Sequence, residues 1–62
     1  MRATFNVDYN VIQNGVVHRQ RRIVTQSQLA GNADSEFAVV EFLRRSHPGC
    51  HVEINSLTRL LG

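Results

Sequence analysis

The sequence contains no lysine and no tryptophan, and it has one cysteine and one proline. A single cysteine, Cys50, excludes a disulfide bond within the chain and favours a reducing compartment. The sequence has no apolar run of the roughly 20 residues that a membrane span requires, and its first residues do not form the apolar core of a signal peptide. We therefore expect a cytoplasmic protein with no membrane partner.

All seven basic residues are arginines, and the net charge is only +2. So small a charge does not by itself indicate a polyanionic partner. A GC-rich genome would produce the arginine bias without any functional cause. Alternatively, the planar fork of arginine is suited to recognition of phosphate and carboxylate groups. The composition leaves both explanations open.

The length of 62 residues indicates one domain, spanning residues 1–62. A chain of this size buries only about 60% of the surface that it exposes when unfolded. Domains this small often depend on disulfides, a metal or a partner subunit. With one cysteine, a homodimer or a complex with another protein is the expected supplement.

A strand is predicted over residues 2–12, because apolar and polar residues alternate there and would give one buried and one solvated face. The pair Asn14-Gly15 predicts a type I′ hairpin, so that residues 16–25 return as an antiparallel edge strand. A two-residue loop would set Asp8 opposite Arg21 on the solvated face. A longer loop or a bulge would exchange the two faces of the second strand.

In that register Asn10 lies opposite Arg19, again on the solvated face. His18, Gln20 and Arg22 then lie on the buried face, at its periphery, where long side chains can keep their polar ends in water. Thr25 and Gln28 have the spacing of a capping box for one helical turn. That turn would place Leu29 and Ala30 beneath the sheet.

A helix is predicted over residues 34–46, capped by Asp34 or Ser35 and ended by His47-Pro48-Gly49. Its apolar side comprises Val39, Val40, Phe42 and Leu43. Phe37 falls outside this stripe. We expect it to pack locally at the edge of the sheet, and exposure for a partner is the alternative.

The third strand is predicted over residues 50–55, with Cys50, Val52 and Ile54 directed inward. After it, Leu57, Leu60 and Leu61 recur at helical spacing and predict about one helical turn. That turn would cover the open end of the core or meet a second subunit. A right-handed crossover through the helix places the first strand between the other two. The fold class is therefore α+β, a ββαβ domain with a three-stranded antiparallel sheet of order 2-1-3 and one helix on one face.

Catalysis has little support in the sequence, because a nucleophile needs a base within hydrogen-bonding reach and a third group to orient it. Cys50 has only His47 or His51 as candidate partners. The same residues, with His18, resemble a partial zinc site, but the strand alternation sends Cys50 and His51 to opposite faces. We predict no enzyme activity, no catalytic or metal-binding residues and no cofactor.

DNA binding through the arginine-rich second strand is the first functional hypothesis. Arginine and asparagine read base edges in the major groove, and β-strands can enter it. The solvated face has no aromatic residue on which single-stranded bases could stack. A solvated edge strand without function is at least as consistent with the pattern. The predicted contacts are Arg19, Arg21, Arg22, His18 and Asn10, to which Arg2, Arg44 and Arg45 could add.

The alternative hypothesis is a regulatory or inhibitory protein-protein interaction module that forms a dimer. An exposed edge strand and a leucine-rich tail are features used for strand addition or for twofold association. Many small bacterial or phage proteins that bind a larger protein have this size, a comparison that rests on size alone. The predicted interface residues are Phe37, Leu57, Leu60 and Leu61.

Overall fold

The computed structural model describes residues 3–60 and shows three strands and one helix. The strands form one antiparallel sheet of order β2-β1-β3, which confirms the predicted α+β fold. Two short 3-10 turns, Gln26–Gln28 and Ala30–Asn32, join the hairpin to the helix. The elements are β1 (Thr4–Gln13), β2 (Val16–Thr25), α1 (Glu36–Ser46) and β3 (His51–Leu60).

The β1–β2 hairpin has the predicted two-residue turn. Asn14 and Gly15 both adopt positive φ, at 53° and 78°, as a type I′ turn requires. The register sets Asp8 opposite Arg21 and Asn10 opposite Arg19, as predicted. The hairpin therefore directs Arg19 and Arg21 to the face of the sheet that α1 does not cover.

The core lies between the sheet and α1. β1 contributes alternate residues, and the helix contributes Val39 and Leu43, which are fully buried. Helix α1 begins after Ser35, whose Oγ accepts a hydrogen bond from the backbone N–H of Ala38 at 3.2 Å. The buried strand and loop residues are Ala3, Phe5, Val7, Tyr9, Val11, Val24, Leu29 and Val52.

The segment after β2 follows the predicted turn in part. The side chain of Gln28 accepts a hydrogen bond from the backbone N–H of Thr25 at 2.8 Å and stabilises one 3-10 turn. Leu29 is buried, as predicted, whereas Ala30 is exposed.

The predicted end of β3 is wrong. β3 does not stop near residue 55 to give way to a helical turn, but continues to Leu60. A β-bulge interrupts the alternation within this strand. Tyr9 pairs with Ile54 and Asp8 pairs with Ser56, so Asn55 is an extra residue on β3. Leu57 and Leu60, whose spacing predicted the helical turn, instead lie on opposite faces of β3, because Leu57 pairs with the buried Val7 and Leu60 pairs with Thr4.

The expectation that Phe37 packs locally is also wrong. Phe37 is 72% exposed, which corresponds to the alternative. It lies in the first turn of α1, whereas the helix buries Val39 and Leu43 against the sheet. Within residues 3–60 no helix is long and apolar enough to cross a membrane.

Candidate nucleic-acid interface

The sheet has one uncovered surface, the side opposite α1, which we call the open face. The strand alternation and the observed register determine which side chains lie on this face. Its centre is polar on all three strands. The central residues are Asn6, Asp8 and Asn10 of β1, Arg19 and Arg21 of β2, and Glu53, Asn55, Ser56 and Thr58 of β3.

Asp8 lies at the middle of the open face with its side chain only 11% exposed. Its Oδ1 accepts a hydrogen bond from Arg19 Nε at 3.0 Å, and its Oδ2 accepts one from Arg19 Nη2 at 2.6 Å. Asn55 Nδ2 donates to Oδ1 at 3.3 Å, and Arg21 Nε lies 3.8 Å from Oδ2. The hydrogen bonds from Arg19 are the main cause that lowers the pKa of Asp8 to about 2, and Asn55 and the charge of Arg21 act in the same direction.

The main partner of Asp8 is the diagonal residue, not the directly opposed one. Arg21 is opposite Asp8 in the ladder, yet Arg19, two positions away, makes the bidentate pair. Diagonal neighbours in an antiparallel pair are within reach of long side chains. The register could therefore be predicted from the sequence, whereas the choice between two reachable arginines depends on side-chain conformation.

Asn10 and Asn55 form a reciprocal amide pair across β1 and β3. Asn55 Nδ2 donates to Asn10 Oδ1 at 2.9 Å, and Asn10 Nδ2 donates to Asn55 Oδ1 at 3.3 Å. Asn55 also donates to Asp8, so it links Asp8 and Asn10 of β1. The sequence interpretation missed Asn55 because the bulge that places it here was not predicted.

A shallow polar depression of about 160 Å³ lies beside Arg21 on the open face. It is lined by Asn6, Asp8, Arg21, Ser56 and Thr58. Apart from the Asp8 carboxylate, these side chains are an amide, a guanidinium and two hydroxyls, all of which can donate hydrogen bonds. Ser56 and Thr58 were not predicted as site residues, since they lie in the segment that was expected to be helical.

The remaining predicted nucleic-acid contacts are on other surfaces. Arg22 projects toward the helix side, where its Cζ lies 5.0 Å from the centroid of the Phe42 ring. His18 is exposed and lies opposite Val11, also on the helix side. In α1, Arg44 pairs with Glu41 at 3.1 Å. The structure thus brings Arg19, Arg21 and Asn10 together on one face but not Arg22 or His18, and Arg2 lies outside the described residues.

The histidines and the cysteine near the end of α1 do not converge. His47 Nε2 lies 3.1 Å from the hydroxyl of buried Tyr9, whereas His51 Nε2 lies 3.7 Å from Glu53. Cys50 Sγ is 3.9 Å from the carbonyl oxygen of Pro48. Across residues 3–60, no three histidine, cysteine or acidic side chains are close enough together to hold a metal ion.

The residues predicted for a protein interface are also dispersed. Leu57 packs against the core, whereas Leu60 is 40% exposed at one end of the open face. Phe37 is on α1, on the other side of the sheet. Leu61 lies outside the described residues.

The fold and the open face define a small ββαβ domain with one covered and one uncovered sheet surface. Comparison with protein families, curated proteins and solved structures found no match.

Proposed function

We propose that this protein is a non-enzymatic DNA-binding module that places the open face of its sheet against the major groove of duplex DNA. The observation that carries the proposal is the grouping of Arg19, Arg21 and Asn10 on one uncovered face. Arginine reads guanine and asparagine reads adenine through paired hydrogen bonds to base edges. The open face therefore carries both kinds of base-reading side chain next to each other, and in this mode the amide of Asn10 exchanges its pairing with Asn55 for an adenine edge.

The dimensions of the sheet support this mode of binding. Three strands at about 4.8 Å spacing span about 10 Å between the outer backbones. The major groove is about 12 Å wide, and β-sheets are known to read DNA grooves. None of the four aromatic residues of the chain lies on the open face. Phe5 and Tyr9 are β1 residues that face the helix, and Phe37 and Phe42 are in the helix itself. Because stacking on aromatic rings is the usual basis of single-strand binding, a duplex is the better match.

The charge distribution favours an approach from the β2 side. β2 carries Arg19, Arg21 and Arg22 and no acidic residue. On the opposite edge, Glu53 of β3 is exposed and would repel phosphate. Arg21, with the hydroxyls of Ser56 and Thr58 at the polar depression, supplies donors for a phosphate group.

A protein partner is the second candidate, and the exposed ring of Phe37 is the observation that favours it. Strand addition has less support, because arginines line one edge of the sheet and a bulge interrupts the other, both of which oppose edge pairing. The exposed apolar side chains are also scattered. Val17 and Ile23 of β2, for example, are six residues and therefore about 20 Å apart.

The test compares Arg21→Ala with Arg45→Ala in fluorescence anisotropy titrations of a mixed-sequence duplex at several salt concentrations. Arg45 is a matched control, because it is an exposed arginine on α1 that forms no ion pair with residues 3–60. We expect wild-type affinity to fall by orders of magnitude between about 50 and about 200 mM salt. Arg21→Ala should weaken binding and reduce the salt slope by about 1, whereas Arg45→Ala should change neither.

Absence of duplex binding by the wild-type protein at about 50 mM salt would overturn the proposal. Equal losses of duplex affinity in the two variants would also overturn it, because binding would then depend on the total charge of the chain and not on the open face. A protein partner bound through Phe37 would instead be retained at high salt and lost in Phe37→Ala.

A further inference from the structure

The guanidinium of Arg19 is held in one orientation on the open face. Asp8 engages it side-on, because the two hydrogen bonds come from Nε and Nη2, at 3.0 Å and 2.6 Å. A guanidinium has five N–H groups in a fixed planar fork, so three remain after the pair has formed. Two of these three, one on Nη1 and one on Nη2, lie side by side along the Nη1–Nη2 edge, and the third points from Nη1 back toward Cδ. The Arg19 side chain is 67% exposed, so a ligand can reach it.

Arg21 differs from Arg19 although both lie on the same face. Its Nε is 3.8 Å from Asp8 Oδ2, beyond hydrogen-bonding distance, and its side chain is 78% exposed. Arg21 is therefore paired with Asp8 through charge and not through a hydrogen bond. Asp8 holds the guanidinium of Arg19 with two hydrogen bonds and that of Arg21 with none, which favours different roles for the two arginines in a complex.

The remaining edge of Arg19 has the geometry for one particular base. Guanine presents two acceptors, N7 and O6, in the major groove, and paired N–H groups of arginine bind them together. We infer that Arg19 is a specificity-determining residue that recognises guanine in the major groove of duplex DNA, and that Asp8 is the residue that positions it. This inference rests on the proposed function and adds a target base to it.

The carboxylate of Asp8 should have opposite effects on the affinity for duplex DNA and on the preference for guanine. A negative charge at the centre of the face repels phosphate and lowers the affinity for any duplex. The same carboxylate fixes the Arg19 fork before binding, so less conformational freedom is lost when guanine is bound. Removal of the charge should therefore raise general affinity and reduce base preference, a combination that loss of folding would not produce.

The experiment selects bound sequences from a randomised duplex pool with the wild-type protein, Asp8→Asn, Arg19→Lys and the control Arg45→Lys, whose arginine lies on α1 and not on the open face. We expect the wild-type protein to enrich a motif that contains guanine, and Arg45→Lys to enrich the same motif. Arg19→Lys keeps the positive charge but loses the paired N–H donors. Asp8→Asn loses the carboxylate that orients the Arg19 guanidinium. Both variants should therefore reduce discrimination in favour of guanine by about fivefold or more. Asp8→Asn should also bind unselected duplex more tightly than the wild-type protein does.

Replacement of the selected guanine by 7-deazaguanine, which lacks the N7 acceptor, provides a second readout. Binding by the wild-type protein should weaken on this replacement, whereas binding by Arg19→Lys should change much less. Amide spectra of each free variant establish that it is folded. Retention of duplex without guanine enrichment, or enrichment that Arg19→Lys leaves intact, would overturn this inference and leave the proposed function standing. Failure to retain any duplex would overturn both.

Discussion

Asp8 is the residue on which the polar centre of the open face depends. A carboxylate that is largely shielded from water is stabilised by hydrogen-bond donors and by nearby positive charge. Here Arg19 and Asn55 donate hydrogen bonds to Asp8, and Arg21 contributes its charge at 3.8 Å. The sequence allowed the two arginines to be placed near Asp8, because the Asn14-Gly15 turn sets the register. Asn55 could not be placed in the same way, since its position depends on a bulge in a distant part of the chain.

The acid dependence of stability follows from the lowered pKa of Asp8. Its pKa falls from an ordinary value of 3.8 to about 2 in the folded chain. A depressed carboxyl pKa contributes stability that is fully present above the unfolded pKa of about 4 and is lost as the pH falls through the folded pKa. We therefore expect the free energy of unfolding of the wild-type protein to decrease between about pH 4 and pH 2 for this reason.

Urea unfolding monitored by circular dichroism at a series of pH values can measure this effect. Asp8→Asn lacks the titrating group but retains the shape of the side chain, so it serves as the reference. The difference in stability between the wild-type protein and Asp8→Asn should shrink as the pH falls toward 2. A difference that stays constant over this range would contradict the assignment.

At the scale of elements, the β1–β2 turn depends on the left-handed conformation of Gly15, whose φ is 78°. A Cβ at this position would meet no atom within 4 Å, so Gly15→Ala tests conformation without a steric clash. We expect a loss of about 1 kcal/mol, because L-residues with a side chain disfavour this conformation. Urea unfolding measures the loss. A variant as stable as the wild-type protein would show that the turn does not control the hairpin.

Helix α1 contributes to stability through its buried side and not through Phe37. Leu43 is fully buried, whereas Phe37 is 72% exposed, and both are large apolar residues of the same helix. Leu43→Ala should cost about 2–5 kcal/mol through lost burial and a cavity. Phe37→Ala should stay within about 0.5 kcal/mol, as most surface substitutions do. Similar losses in thermal unfolding of the two variants would contradict the observed packing of α1.

The strands and the helix differ in how far their sequence patterns predict them. β1 and α1 could be predicted because each has an unbroken period and, for the helix, a capping residue, Ser35. β3 has two alternating halves on either side of Asn55, and neither half alone indicates that they belong to one strand. The bulge is stabilised by pairing with β1, a tertiary effect that local periodicity does not contain.

At the scale of the whole molecule, the sheet divides the chain into a face that supports folding and a face that is available for binding. α1 covers one side and buries the apolar residues of β1, while Arg19, Arg21 and Asn10 lie on the other side. The sequence predicted this division through alternation in β1 alone. Which of the seven arginines share a face depended on the hairpin register and on the length of β3.

The most direct test of the account is a titration of isotope-labelled protein with mixed-sequence duplex DNA, followed by amide chemical shifts at about 50 mM and at about 200 mM salt. We predict shifts concentrated at residues 17–23 of β2 and around Asn55 to Thr58 of β3, with α1 unchanged. These shifts should largely disappear at the higher salt concentration, since phosphate contacts are salt-dependent. An unresponsive spectrum at low salt, or salt-independent shifts centred on Phe37, would contradict binding through the open face.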